Sequence, residues 1–276
     1  MRYGMSSART CRPVRLAQVA EMSGVGSALP PWMSLPQQIG GAWVLQTQRG
    51  GRGCSTFDSF NLALHVGDNV QAVQFNRMQL LAALQPYGVE RLVWLNQTHS
   101  TDVVTVDHRL CADLVDADAL ITQQRGVGVV MMTADCLPIV LSDALGQTVA
   151  CLHAGWRGLA DGIIEATVAR MPNVATQAWL GAAIGATAFE VGAEVRTRFV
   201  NDVADAATAF KLQPNGQYLA DLYQLARLRL DALGIAQISG GELCTASAPE
   251  QFYSYRRDGV TGRMATVAFL NTHVCA

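Results

Sequence analysis

Three short segments each place a potential metal ligand at the end of an apolar run. Cys136 lies in TADCLP, His153 in HAGWRG and His99 in NQTHS. Apolar, β-type residues flank each segment, so we expect these side chains at strand ends, where they can reach a cleft. The three are separated by 37 and 17 residues. Zinc accepts this mixture of thiolate and imidazole, and three protein ligands leave a position for water or substrate. The sequence therefore predicts a catalytic zinc site.

Each of these residues also has other interpretations. A free cysteine is most often a small buried hydrophobe, and a single histidine is as often a core residue as a functional one. One cysteine with two histidines also resembles a mononuclear copper site, although five histidines are too few for an additional trinuclear copper centre. Alternatively, Cys136 and His153 could form the nucleophile–base pair of a cysteine hydrolase. Spacing alone leaves these alternatives open.

A second group of residues could bind an anion. Arg256, Arg257 and Arg263 fall within eight residues, among the aromatic and glycine residues of FYSYRRDGVTGR. Such a group could hold a phosphate and stack on a base, whereas a solvated hairpin turn is the simpler interpretation. Arg49 and Arg52 lie in a Gly/Ser-rich loop, residues 48–60, and could add cationic contacts. That loop lacks the GxxxxGK[ST] pattern of nucleotide-binding P-loops.

The elements that must position these residues alternate between strands and helices. Apolar spacing predicts helices over residues 70–84, 162–171, 191–200 and 219–233. Short β-type runs cover residues 91–95, 103–106, 127–132, 137–141, 148–152, 238–244 and 264–270. Connections of both hairpin and helix length favour a mixed α/β fold. We predict one domain over residues 28–276, preceded by a weakly structured extension, residues 1–27.

Composition limits the classes of protein that the chain can belong to. Half of the 276 residues are apolar and 15% are charged, which is typical of a globular protein. A net charge of −2 gives no indication of nucleic-acid or membrane binding. Seven cysteines without a CxxC pair, no secretory signal and no long apolar run predict a cytoplasmic protein with reduced thiols.

Taken together, the motifs resemble the laccase-domain family. Its bacterial members are described as purine nucleoside phosphorylases, polyphenol oxidases or peptidoglycan-editing factors. The matching segments cover most of the chain from about Leu29 to Leu270, and in order they read FDSFNLALHVGDN, WLNQTHSTDV, TADCLPIVL, VACLHAGWRGL, FEVGAEV, YLADLYQLARLRL and FYSYRRDGVTGRMA. Several long motifs in one order make the resemblance specific.

The resemblance implies a four-layer α/β/β/α sandwich and zinc held by His99, Cys136 and His153. It also implies phosphorolysis of adenosine, inosine, guanosine and methylthioadenosine, and deamination of adenosine. The alternatives are a copper polyphenol oxidase and a cysteine hydrolase linked to cell-wall peptide editing. Within the motifs, the candidate catalytic residues are Asp135, Arg157, Arg256 and Arg257, and the candidate substrate or phosphate contacts are Arg52, Ser55, Asn61 and Arg263.

Two positions depart from the family pattern. The family loop usually reads Arg-x-Gly-Gly-Val-Ser, and either Gly53 or Ser55 occupies the serine position here. Ala182 stands where the family commonly has proline. The loop departure affects the expected substrate contacts, and neither change touches the predicted metal ligands.

Overall fold

The computed structural model describes residues 29–50, 56–107 and 115–270. The predicted N-terminal extension, Arg52 and Ser55 lie outside the described residues. The described strands are β1 Gln37–Ile39, β2 Ala42–Gln46, β3 Arg91–Val93, β4 Leu95–Asn96, β5 Val103–Val106, β6 Val115–Asp116, β7 Ala119–Thr122, β8 Val127–Thr133, β9 Leu137–Asp143, β10 Val149–Ala154, β11 Ala175–Leu180, β12 Glu190–Val191, β13 Phe210–Leu212, β14 Tyr218–Ala220, β15 Gln237–Gly240 and β16 Met264–Leu270.

The described α-helices are α1 Val70–Leu84, α2 Trp156–Asp161, α3 Ile163–Arg170, α4 Ala193–Asp202, α5 Leu222–Ala232 and α6 Tyr255–Asp258. Helix α1 has the predicted bounds. Its first turn is capped by the Asn69 side chain, which accepts a hydrogen bond from the Ala72 amide. Beyond its last residue the chain continues as a 3-10 turn containing Pro86.

Two mixed sheets form the centre of the fold. One has the strand order β1-β2-β16-β8-β3, and the other has the order β15-β11-β9-β10-β7-β5. Within each sheet most neighbours are antiparallel, whereas β3 pairs with β8, β5 with β7 and β11 with β15 in parallel. The predicted mixture of hairpins and longer crossovers is confirmed.

The two sheets pack face to face, and helices cover their outer faces. Along β8, Val129 and Met131 pack between the sheets, whereas Val130 packs on the outer side with α1. Along β9, Val140 lies between the sheets, and Ile139 packs toward helices α2 to α5. This period-two alternation buries both faces of each strand, which explains why these runs are almost continuously apolar. The predicted α/β/β/α sandwich is confirmed.

Several predicted bounds differ from the structure for local reasons. The predicted helix over residues 219–233 begins only at Leu222, because Tyr218–Ala220 is a strand that pairs with β12 and β13. The predicted strand over residues 238–244 ends at Gly240, where φ is 72°, a conformation that favours glycine. The segment interpreted as a possible hairpin turn around Arg256 contains the short helix α6. Among the described helices, none is both long and apolar enough to cross a bilayer.

Candidate metal centre

A single β-hairpin brings two of the three predicted ligands together. Cys136 directly precedes β9, and His153 lies in β10 opposite Pro138, so the antiparallel register brings Cys136 and His153 to the same end of the hairpin. Asp135 has a φ of 90°, which turns the chain sharply just before Cys136. The half-buried thiol therefore lies beside the buried imidazole of His153.

The third ligand, His99, arrives on a loop after β4. Its Nε2 lies 3.8 Å from the Sγ of Cys136, and its ring centroid lies 4.8 Å from that of His153. The ligand atoms of His99, Cys136 and His153 all lie within 4.8 Å of one another, an arrangement that could hold a metal ion. The 3.8 Å separation is near the roughly 3.5 Å expected between a nitrogen and a sulfur ligand of tetrahedral zinc. The sequence prediction that these three side chains converge is confirmed.

Asp118 connects the two histidines. Its Oδ1 accepts a hydrogen bond from His153 Nδ1 at 2.7 Å, and its Oδ2 accepts bonds from the backbone amides and hydroxyls of Thr98 and Ser100 at 2.7 to 3.2 Å. Burial raises the pKa of Asp118, but the bonds and charge of His153 and the bonds from Ser100 outweigh this and hold the pKa well below its usual range. The carboxylate is therefore ionised and accepts hydrogen bonds on both oxygens.

The electrostatics of the site favour an ionised thiol. Desolvation raises the pKa of Cys136, but the charge and hydrogen bonds of His153 and His99 outweigh it and lower the pKa to about 6. Desolvation lowers the pKa of His153, but the Cys136 thiolate and Asp118 raise it to about 9. A thiolate is the form of cysteine that binds metals, so the donor set suits a borderline or soft divalent ion.

Gly155 supplies space for this cluster. A Cβ at this position would lie 3.0 Å from Cys136 Sγ and 3.0 Å from His99 Cδ2. Its φ of −60° and ψ of 159° are open to any residue, so the limit is steric and comes from the ligands themselves. The glycine thus allows the imidazole of His99 and the thiol to approach the chain closely.

The ligand group lies in the wall of a cavity of about 380 Å³. This volume lies within the range of sites for small organic molecules, roughly 300 to 1,000 Å³. Trp156, Ile184 and Phe189 give the wall an apolar and aromatic part, and Arg157, Arg256 and Arg263 add positive charge. A cavity with both features can accept an aromatic ring and an anion together.

The sequence of this chain is similar to a known protein family and to several named proteins. The family described as multi-copper polyphenol oxidoreductase laccase matches residues 42–271. The chain belongs to this family. The chain is 45% identical to a purine nucleoside phosphorylase of Pseudomonas aeruginosa over 227 residues, which cover 81% of this chain and 91% of the relative. It is 44% identical to the purine nucleoside phosphorylase YfiH of Escherichia coli over 244 residues, or 88% and 98% of the two chains.

Two solved structures share the fold of this chain. A Neisseria meningitidis protein aligns with a TM-score of 0.79 at 41% identity, covering 87% of this chain and 99% of that one. YlmD from Geobacillus stearothermophilus aligns with a TM-score of 0.76 at 31% identity, covering 88% and 94%.

The arginines predicted as catalytic or anion contacts separate into two groups in this laccase-family chain. Arg157 stacks over Trp156 at 4.4 Å, and Arg256 lies over Phe189 at 5.4 Å; both arginines line the cavity. Arg256 Nη1 also donates to the carbonyl oxygens of residues 188 and 190. Arg263 also lines the cavity, and its Nη1 donates to the carbonyl oxygens of residues 261 and 262. Arg257 instead donates to the carbonyls of residues 245, 246 and 252 and pairs with the neighbouring acid. Its contacts are those of a structural residue.

Two other predicted residues are held by internal hydrogen bonds. Asp135 accepts from the hydroxyl of Thr245 at 2.6 Å and from the Arg256 amide at 2.6 Å, while still lining the cavity. Asn61 is fully buried, and its Oδ1 accepts from the amides of Ala63 and Arg263. Proton transfer by Asp135 and direct substrate contact by Asn61 stay predictions, and the contacts of Asn61 are those of a residue that positions Arg263.

Two residues that support the site, Asp118 and Gln97, were not among those predicted from the sequence. Asp118 lies in VDADAL, a segment with no ligand-like spacing of its own, and its role becomes visible only through contacts with residues 98, 100 and 153. Gln97, within the NQTHS motif of His99, exchanges two 2.8 Å hydrogen bonds with the backbone of Met132. His65, in the segment FDSFNLALHVGDN, also lies in the cavity wall. The position of Gln97 within the NQTHS motif was the signal that could have identified it.

Proposed function

We propose that this chain is a zinc-dependent purine nucleoside phosphorylase. Its substrates would be adenosine, inosine, guanosine and methylthioadenosine together with phosphate, and it would also deaminate adenosine to inosine. The observation that carries the proposal is the convergence of His99, Cys136 and His153 in the wall of a cavity that also has aromatic and arginine side chains. The names of the Pseudomonas and Escherichia relatives support the phosphorylase activity.

The donor set fits zinc. One thiolate and two imidazoles form a three-ligand set, and three protein ligands with one free position are typical of catalytic zinc sites. The hydrogen bond from Asp118 to His153 matches the carboxylate–histidine pairs that commonly support such ligands. Bound zinc would act as a Lewis acid that stabilises developing negative charge and lowers the pKa of water.

The chain's own residues would bind and orient the two substrates. Arg256 and Arg263 would hold phosphate through charge-assisted hydrogen bonds, and the carbonyls bonded to Arg263 Nη1 fix the direction of its guanidinium. Phe189 and Trp156 would pack against the purine ring. Asp135 accepts hydrogen bonds from the Arg256 amide and from the Thr245 hydroxyl. If Asp135 transfers a proton during the reaction, it would have to do so while the bond from Thr245 stays in place.

The cellular setting follows from composition. Cys136 needs its thiol reduced to bind zinc, and seven cysteines without a regular framework suit a reducing compartment. We therefore place the reaction in the cytoplasm, with small nucleosides rather than nucleic acid or membrane as its partners.

Product analysis tests this proposal. Purified protein of measured zinc content is incubated with adenosine, with and without phosphate, and the products are separated by chromatography. Free adenine that requires phosphate supports phosphorolysis, and inosine supports deamination. Cys136→Ala should abolish both products, whereas Cys151→Ala, at a buried cysteine outside the cavity wall, should retain them. If folded, zinc-loaded protein forms neither product, the proposal is refuted.

Copper oxidation is a second candidate, favoured by the donor set. A cysteine with two histidines also suits mononuclear copper, and the family description names a multi-copper oxidoreductase. Five histidines in the chain do not supply the ligands of a further trinuclear centre. Stoichiometric copper with strong blue absorption in protein purified without added metal would support this candidate over zinc.

A cysteine hydrolase, acting on a peptide such as one from the cell wall, is a third candidate. Asp118, His153 and Cys136 follow one another in a hydrogen-bonded order that also suits a thiol nucleophile and its base. Iodoacetamide labelling separates the two roles. A zinc-bound Cys136 thiolate should resist alkylation until a chelator removes the metal, whereas rapid labelling of metal-loaded protein would favour the hydrolase.

A further inference from the structure

Asp118 is fully buried and is not among the residues of the cavity wall. It therefore does not touch the substrate, yet it accepts five hydrogen bonds from the segments that carry two metal ligands. We infer that Asp118 is the positioning residue that assembles the metal centre, because one carboxylate oxygen orients His153 and the other holds the loop of His99. The inference rests on the proposed function in one respect, namely that the centre binds zinc.

The hydrogen bond between His153 and Asp118 determines the tautomer of His153. A carboxylate oxygen can only accept a hydrogen bond, so the 2.7 Å contact requires a proton on His153 Nδ1. When the imidazole is neutral, Nε2 then has a free lone pair, which is the form that a metal ligand needs. The contact also fixes the plane of the ring at the end of β10. Asp118 thereby sets both the tautomer and the ring direction of one ligand.

Asp118 also holds the loop that carries His99. Asp118 Oδ2 accepts from the amide and hydroxyl of Thr98 at 3.1 and 3.2 Å, and from the amide and hydroxyl of Ser100 at 2.7 and 3.0 Å. His99, between these two residues, has a φ of 62°, a backbone conformation that L residues rarely adopt. The four hydrogen bonds hold the chain on both sides of His99 and so stabilise this conformation.

An asparagine at this position could not perform both tasks. Its amide has the shape of the carboxylate but has one accepting oxygen and one donating nitrogen. With its oxygen toward the loop amides, its NH₂ group would face His153 Nδ1, which would then have to accept and leave the proton on Nε2. With its oxygen toward His153, the NH₂ group would face the donors of Thr98 and Ser100. Either orientation disrupts one of the two histidine ligands.

The inference is tested with Asp118→Asn. The zinc dissociation constant is measured by competition with a chromophoric chelator, and the His153 tautomer is read from ¹⁵N chemical shifts of the zinc-loaded protein. We expect zinc binding about 10- to 100-fold weaker, the range typical for loss of a carboxylate behind a histidine ligand. Asp116→Asn is the matched control, because Asp116 is exposed, lies two residues away and bonds the Asn96 side chain. It should keep the affinity of the parent protein.

A second variant keeps the test decisive if Asp118→Asn folds poorly. Ser100→Ala removes one hydroxyl donor from Oδ2 and leaves the bond between Asp118 and His153 in place. We expect zinc binding to weaken several-fold with the Nδ1-protonated tautomer of His153 unchanged, while the melting temperature of the metal-free protein stays near that of the parent. This combination separates positioning of the ligand from general stability.

The outcomes distinguish this inference from the proposed function. The inference is overturned if the parent protein binds zinc in a 1:1 ratio and Asp118→Asn binds zinc equally tightly with the same His153 tautomer. The proposed function is unaffected by that result. Parent protein that binds no zinc overturns both. Affinity lost equally in Asp116→Asn would also overturn the inference, because the effect would then not be specific to the residue that contacts the histidines.

Discussion

Replacing Gly155 by alanine is the sharpest steric test of the metal centre. The added Cβ would lie 3.0 Å from Cys136 Sγ and from His99 Cδ2. Carbon atoms in contact prefer separations of about 3.5 to 4.0 Å, so one or both ligands must move by roughly 0.5 Å or more. The backbone itself needs no change, because φ is −60° and ψ is 159°. The free-energy cost of the added Cβ therefore comes from displacement of the ligands.

The expected magnitude follows from the cost of overpacking. Extra atoms in a well-packed region typically cost about 1 to 3 kcal/mol. If that cost arises only when the ligands close around zinc, the affinity for zinc falls by about 5- to 150-fold, since about 1.4 kcal/mol corresponds to a factor of ten. Without metal, His99 is exposed and can move aside, so the stability of the metal-free protein should change little.

Gly192→Ala is the matched control for this measurement. Gly192 also precedes a helix, with φ of −78° and ψ of 170°, so the helix-capping effect of alanine is the same in both variants. Its added Cβ would meet the Glu194 carboxylate, the flexible end of an exposed side chain. Zinc dissociation constants and melting temperatures are compared for the parent and both variants. A folded Gly155→Ala protein that binds zinc as tightly as the Gly192→Ala protein would refute the reasoning.

Three further predictions concern the surroundings of the site and the core. Asn61→Ala should lower the free energy of unfolding by about 1 to 3 kcal/mol in urea titrations, because the Arg263 amide loses a buried acceptor, and a loss below about 0.5 kcal/mol would contradict this. Arg256→Ala should raise the KM for phosphate with little change in melting temperature, because Arg256 lines the cavity. Arg257→Ala should lower the melting temperature by several degrees and leave the KM unchanged, because Arg257 bonds backbone carbonyls. The reverse pattern would contradict these two assignments. Leu120→Ala, between the two sheets, should cost about 2 to 5 kcal/mol in urea titrations, and a near-neutral effect would argue against the packed sheet interface.

The fold was predictable wherever local signals agreed with tertiary packing. The bounds of α1 follow from the Asn69 cap and the nearby proline, and the apolar runs of β8 and β9 follow from burial on both faces. The start of α5 was not predictable from apolar spacing, because Tyr218–Ala220 continues the helical pattern but pairs with β12 and β13. Strand pairing is a tertiary interaction, and it overrides helix propensity there.

The site was predictable as far as its ligands but not in its support. Cys136, His99 and His153 belong to residue types with specific metal chemistry, so their positions at strand ends were informative. Asp118 is one of many aspartates, and its importance comes from hydrogen bonds to residues 18 to 35 positions away in the chain. Similarly, Arg256 and Arg257 are neighbours of the same type and both donate to backbone carbonyls, and only the fold places Arg256 in the cavity wall.

The hairpin of β9 and β10 has a consequence for how this protein would acquire the proposed metal ion. Cys136 and His153 share one local unit, so a nascent or partly folded chain can already present two donors to an ion. The third donor, His99, lies 37 positions before Cys136, on the loop between β4 and β5, so only tertiary packing brings it to this hairpin. Tight binding of an ion by all three donors would therefore depend on the position of that loop. A substitution that displaces the loop should weaken metal retention before the hairpin unfolds.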